Sequence, residues 1–319
     1  MSNSEDIVLF WYPYSPFAQK IGWILNYKKV EYKTVLIDVM EPRPKRRPFD
    51  GGYRKTPVLQ VGQHTFCDTK TIIAEIEKLF PEPSLYPKTS NGNSSESLCR
   101  GLNLWLDNTV FNSAVTQLPI KTLPENFVAD RSAMLGRPLD AEKIAAAAPF
   151  LKTEVAAQFH VLEQILGQKK WLLDTELPSS VDFSSAMMVF FLVNLIGEEW
   201  VKNNLKVMFE HMNKVLAISN WDQIEKRPSL TEDEAIEGLK RYATAEVPEE
   251  FKVHSSVLPI QLGQQVVVMP LDTGKVPIIG TLVRSTVDET VILYKDPTYE
   301  TTSVIHFPTL GFIVMPKTD

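Results

Sequence analysis

The chain has 319 residues, a length that allows about two domains. Hydrophobic residues make up 44% and charged residues 23%, which excludes a disordered, collagenous or multi-span membrane chain. The formal net charge is −6, from 33 basic and 39 acidic residues, and lacks the basic field that general nucleic-acid binding requires.

Residues 1–6 (MSNSED) carry no basic stretch of a secretory leader. Residues 7–12 (IVLFWY) read as a strand, PYSP breaks it, and 17–27 read as a helix; 32–37 form a second strand. From 41 to 54 the chain is irregular and basic, and Pro42, Pro44 and Pro48 forbid an ordinary helix there. Short strands at 57–61 and 64–67 meet at the Gly62-Gln63 turn. Residues 69–80 then give a helix whose apolar face is Ile72, Ile73, Ile76, Leu79 and Phe80. This order marks 1–85 as a small α/β unit, and the Pro-, Ser- and Asn-rich run 81–97 is the clearest boundary. Helical periods follow at 98–118, 140–166, 180–195, 200–217 and 231–242, an all-α unit over 96–245. Its apolar run 186–196 is too short to span a bilayer and reads as a buried helix. The tail, 253–319, turns to short segments rich in Val, Ile and Thr at 265–269, 276–283, 290–294, 304–307 and 312–315. Turn signals separate them, as in a small all-β extension, either a barrel or a curled sheet.

Three segments carry chemistry. In Tyr12-Pro13-Tyr14-Ser15-Pro16-Phe17 a strand ends and a helix begins, with Ser15 at N-cap and Pro16 at the first helical position. Ser15 either only caps the helix, or points its hydroxyl into a cleft where a thiolate meets the hydroxyl and the free helix amides. Lys55-Thr56-Pro57-Val58-Leu59 either marks an edge strand or, with a cis Thr56–Pro57 bond, turns the backbone of Val58 outward to pair with a peptide. Asp68 and Thr69 either cap the next helix, or receive an ammonium group and a carboxylate. Together the segments describe a site for a short peptide bearing a thiol, an amine and carboxylates. The two cysteines, Cys67 and Cys99, form no disulfide framework or zinc spacing and fit a reducing, cytoplasmic setting; Cys67 reads as packing. The five histidines have no metal-binding spacing.

On these motifs the chain resembles the glutathione S-transferase superfamily, over about residues 7–240. Tyr14-Ser15-Pro16-Phe17-Ala18-Gln19-Lys20 is similar to the omega-class stretch, with Ser15 in the place of that class's cysteine. Thr56-Pro57-Val58-Leu59 is similar to the family's cis-proline motif and Asp68-Thr69 to its acidic-serine pair, so the resemblance assigns glutathione to Thr56, Pro57, Val58, Asp68 and Thr69. Ser179-Ser180-Val181-Asp182 looks like the family's structural capping box. The implied fold is a thioredoxin-like domain, an all-helical domain and, outside the basic family pattern, the β extension, an addition that resembles fungal GST-like proteins.

A serine cannot form a mixed disulfide, so the resemblance implies that Ser15 activates the thiol of bound glutathione for attack on an apolar small-molecule electrophile. Tyr12 and Tyr14 are alternative hydroxyl donors. Trp105, Asn108, Phe111 and Asn112 line either the acceptor pocket or a domain contact, and Lys45, Arg46, Arg47 or Lys55 meets the glycine carboxylate or sits in a solvated basic loop. The family also implies a homodimer, with no nucleic-acid or membrane partner and no metal. A non-catalytic binding or scaffolding protein, and a glutathione-dependent reductase or isomerase, are the alternatives.

Overall fold

The structure is a computed structural model and describes residues 7–242 and 246–318. The leader reading for 1–6, and the unit ends at 243–245 and 319, lie outside the described residues. β1 (Ile7–Trp11) leads through Ser15 into α1 (Pro16–Tyr27), and β2 (Lys33–Leu36) follows. A single helical turn, α2 (Arg47–Asp50), sits in the proline-rich stretch; β3 (Val58–Val61), β4 (His64–Cys67) and α3 (Thr69–Leu79) complete the α/β unit. The helical unit opens with α4 (Glu96–Trp105), which passes through a π-helical turn at Leu106–Val110 into α5 (Phe111–Val115). It continues with α6 (Glu125–Leu135), α7 (Ala141–Leu166), α8 (Ser180–Ile196), α9 (Glu198–Asn204) and α10 (Lys206–Ser219). The two-residue β5 (Ser229–Leu230) and α11 (Glu232–Lys240) return the chain to the first sheet. The tail supplies β6 (Gln265–Pro270), β7 (Ile278–Ser285), β8 (Glu289–Asp296), β9 (Thr301–Pro308) and β10 (Phe312–Pro316).

The tail strands do not close a barrel of their own. They extend the N-terminal sheet into one of ten strands, in the order β10-β6-β7-β8-β9-β4-β3-β1-β2-β5. The seam is parallel, with β4 beside β9 in the register His64↔Val304, Thr65↔Ile305, Phe66↔His306. Strand side chains alternate between faces, and that alternation builds two cores. Ile7, Leu9, Trp11 and Leu59 face α1, α3 and the helical unit. Val8, Phe10, Val35 and Val58 face the opposite way, onto Phe49 and Tyr53 beside α2, Ile236 of α11, and Ile305 and Phe307 of the tail.

A chain of polar side chains crosses the seam. His64 Nδ1 lies 2.8 Å from His306 Nε2, and His306 Nδ1 lies 2.9 Å from Glu289, which also pairs with Arg284 at 2.7 Å. The Glu289 carboxylate only accepts, so His306 carries its proton on Nδ1, and in neutral His306 Nε2 accepts from His64. His306 stacks on Phe66 with ring centroids 4.2 Å apart, and Phe251 packs edge-on against it at 5.8 Å.

Two expectations shift in the helical unit. The helix expected over 200–217 breaks at Leu205, whose φ is −132°, and α6 was not anticipated. The capping motif holds α8 as its sequence implies: the Asp182 carboxylate accepts from the Ser179 N–H at 2.7 Å and the Leu172 N–H at 2.8 Å. Among the described residues, no helix is long and apolar enough to cross a membrane.

Candidate functional site

Strand register brings the three segments together. Phe10 of β1 lies opposite Val58 of β3, and Val58 lies opposite Cys67 of β4. The turn to Ser15 therefore leaves, Thr56-Pro57 arrives, and Asp68-Thr69 departs, all at one end of the sheet. The Thr56–Pro57 bond is cis.

Ser15 is 4% exposed. Its Oγ accepts from the Ala18 N–H at 3.3 Å, and its own N–H donates to Tyr12 O at 3.1 Å. The capping contact uses a lone pair and leaves the hydroxyl proton free to donate. Asp68 caps α3 by accepting from the Lys70 N–H at 3.0 Å, and the Lys70 ammonium pairs with the same oxygen at 3.0 Å. Asp68 has φ +77°, which aims its side chain beside the helix start; Thr69 is buried at the first helical position. Val58 is fully buried inside the sheet, with a strand on each side. An interior strand residue turns its N–H and C=O to a neighbouring strand, whereas Thr56 stands ahead of the strand at the open end.

The alternative hydroxyls separate. Tyr14 is 83% exposed, and Tyr12 packs under Arg43, whose guanidinium carbon lies 5.9 Å from the ring centroid. Phe111 contacts Phe17 of α1 with ring centroids 4.8 Å apart and so stands near the start of that helix. Trp105 instead donates to Gln158 on α7 at 3.1 Å, and Asn108 to Leu104 O at 2.8 Å. Cys67 is buried, and burial pushes its thiol well above the usual range, as packing requires.

Three arginines of the basic stretch, Arg43, Arg46 and Arg54, are buried or largely buried structural ties, whereas Lys45 and Lys55 pair nearer the surface and Arg47 is exposed. Arg43 donates to Asp38 O at 2.7 Å, Val39 O at 2.8 Å and Arg54 O at 2.9 Å. Arg46, 1% exposed, pairs with Asp50 at 2.6 Å and donates to Thr56 Oγ1 at 3.0 Å and to Tyr53 O. Burial raises the Asp50 carboxyl and Arg46 opposes that rise. Arg54 reaches Asp130 on α6 at 2.7 Å, Lys45 reaches Asp233 on α11 at 2.7 Å, and Lys55 reaches Asp272 of the tail at 2.5 Å. Behind the site, Lys20 of α1 is fully buried and clamps the two units through Asp107 at 2.9 Å and Ser184 at 3.2 Å. Among the described residues, no group of His, Cys, Asp or Glu is arranged to hold a metal ion.

Residues 9–84 match the glutathione S-transferase N-terminal domain family, and residues 112–217 match a domain family of unknown function, DUF7962. A probable glutathione S-transferase of Solanum tuberosum is 29% identical over 83 residues, which are 26% of this chain and 38% of that protein. This chain therefore matches well under half of its curated relative's length. A GST-like protein from Pseudomonas syringae superposes with a TM-score of 0.69 at 25% identity, over 97% of this chain and all (100%) of that one. The β extension is thus part of a layout that also occurs in a bacterium. A glutathione transferase from Phanerochaete chrysosporium, solved with oxidized glutathione, shares the fold alone, with a TM-score of 0.52 at 17% identity over 71% of this chain and 98% of that chain. Residues 9–84 thus match the glutathione S-transferase N-terminal domain family, and the chain as a whole is similar in fold to a GST-like protein.

Proposed function

We propose that the protein is a glutathione-dependent transferase in which the Ser15 hydroxyl donates to the thiolate of bound glutathione, for attack on an apolar electrophile. The observation that carries this reading is the register Phe10↔Val58↔Cys67, which gathers Ser15, Thr56-Pro57 and Asp68-Thr69 at one sheet end. The N-terminus of α1 adds its dipole to the hydroxyl hydrogen bond, and both lower the thiol pKa. Asp68 receives the ammonium group, and the start of α3 with Thr69 receives the neighbouring carboxylate. The backbone beside the cysteinyl residue is that of Thr56 rather than Val58, whose place lies within the ladder. The omega-like motif with Ser15 for cysteine belongs to this reading, because a serine favours thiolate activation over disulfide exchange. The cytoplasmic setting is likewise part of the proposal, supported by two buried free cysteines.

Calorimetry with glutathione on the wild type and on Ser15→Ala tests it. Binding in both, with thiolate absorbance and turnover lost in the variant, is the expected outcome. Absence of wild-type binding at millimolar glutathione sinks the proposal. Binding without any thiolate in the wild type leaves the fold as a non-catalytic binding scaffold.

A further inference from the structure

The tail reaches the candidate site through the loop between β6 and β7. Its Asp272 carboxylate takes the Lys55 ammonium with both oxygens, at 2.5 and 2.7 Å, across 217 positions of sequence. Lys55 immediately precedes Thr56 at the open end of the sheet. Lys70, bridged to Asp68, also lies within the electrostatic reach of Asp272. Two lysines and two aspartates from three segments thus share this corner.

The loop that presents Asp272 is tied down on both sides. Leu271 N–H donates to Gly311 O at 2.9 Å, and Gly274 N–H donates to Met134 O at the end of α6 at 2.8 Å. Gly274 has φ +64°, and a Cβ there would lie 3.3 Å from the Arg54 side chain, so the backbone passes close to the basic stretch.

The Lys55 pair differs from its buried neighbours in its exposure. Arg46–Asp50 and Arg54–Asp130 are buried pairs, and Lys45 pairs away on α11. In the Lys55 pair the Asp272 side chain is 52% exposed. A half-exposed ion pair contributes little net stability, and replacing one carboxylate by another at the same ammonium is close to isoenergetic.

We propose that Asp272 is a specificity-determining residue that occupies, at Lys55, the place of a carboxylate of the bound peptide, so that the tail weakens the site for carboxylate-bearing ligands. This rests on the thiol-peptide reading of the site. When a peptide binds, its carboxylate competes with Asp272 for Lys55, and the ligand's net gain is reduced by the pair it displaces.

The test compares glutathione with its diethyl ester on the full-length wild type and on Asp272→Asn, by calorimetry at low salt. The variant is expected to bind glutathione tighter by roughly two- to five-fold, the range of a half-exposed ion pair, and the diester no tighter. Asp272→Ser, which shares only the loss of charge, is expected to behave the same way. A purely structural role for Asp272 moves both ligands together. Equal shifts for both ligands, no shift, or weaker glutathione binding in the variants overturns the proposal and leaves the thiol-peptide site standing. Binding of glutathione to none of the proteins takes down that site and this proposal together.

Discussion

Acidification should loosen the seam between the N-terminal unit and the tail, and His64 sets where. Burial, reinforced by the nearby charges of His306 and Lys78, pushes the His64 imidazole down to about 4, against 6.5 for an exposed histidine. Glu289, which faces the pair from β8 together with Arg284, pulls the other way and does not overcome burial. Between those two pH values the unfolded chain binds a proton that the folded chain refuses. The contribution of neutral His64 is therefore fully present above about 6.5 and falls away as the pH drops toward 4. A gap of about 2.5 pH units corresponds to ~3 kcal/mol, with a slope approaching ~1.4 kcal/mol per pH unit in the middle of the window. Urea unfolding followed by tryptophan fluorescence from pH 7.5 to 4.5 measures it, with His64→Asn as the reference. Asparagine keeps a donor near His306 Nε2 and cannot titrate. The variant starts less stable, having lost the ring contacts, so the slope with pH decides the matter. The wild type is expected to lose most of that ~3 kcal/mol in excess of the variant. Parallel profiles for the two proteins would refute the reasoning.

Ser15→Ala should cost about 1 kcal/mol of stability through loss of the helix cap. It should also raise the thiol pKa of bound glutathione by ~1–2 units, from the ~1.5–3 kcal/mol of a charged hydrogen bond. Thiolate absorbance against pH reads the second effect, and an unmoved midpoint assigns Ser15 to capping alone. Arg46→Met strands Asp50 in the core and should destabilise by ~3–5 kcal/mol in thermal or urea melts; a loss below ~1 kcal/mol places the pair in water. Gly51→Ala meets both a φ of +66° and Ile278 Cγ2 at 2.5 Å from the new Cβ. The overpacking alone should cost ~1–3 kcal/mol, and a neutral melting temperature would mean that α2 and the tail are not in contact there.

Local patterns that name their own element were legible. The pair β3–β4 and the start of α3 follow from strand periodicity, the Gly62-Gln63 turn and the apolar face beginning at Ile72. The five tail strands were legible for the same reason, as runs of β-branched residues between turns. Their partner was not: alternation tells a strand which face is buried and does not say which strand lies beside it, and β4 and β9 are 242 positions apart at His64 and His306. α6 has no buried residues and hence no apolar stripe to read, since its place is fixed by charged contacts such as Asp130 with Arg54. The basic stretch misled for a related reason. Composition does not distinguish a solvated guanidinium from one such as Arg46, whose partners are a buried carboxylate and a backbone carbonyl. In the candidate site, Ser15 and Asp68-Thr69 were readable because cap chemistry is local, whereas Asp272 belongs to a loop that only the seam brings near.

That seam explains why the extension exists as part of the sheet. The strands β4-β3-β1-β2 alone would leave two edges open, and unpaired strand edges invite pairing with other chains. β9 fills the β4 edge and β5 fills the β2 edge, through Thr34↔Ser229 and Val35↔Leu230. The edges that remain are β5, two residues long, and β10, which ends in Pro316; shortness and proline both blunt an edge. A homodimer of the kind the resemblance implies is therefore not built by strand addition at β4. The same pairing makes the tail and the α/β unit one core, since Phe10, Val58, Phe49, Ile305 and Phe307 pack together across the seam. Arg100 of α4 also reaches the tail, through Asp288 at 2.7 Å. The α/β unit and the tail should therefore melt in a single transition, with hydrogen exchange in β4 and β9 protected to the same free energy. A two-step melt in which β9 exchanges freely while β1 and β3 stay protected would contradict a shared core.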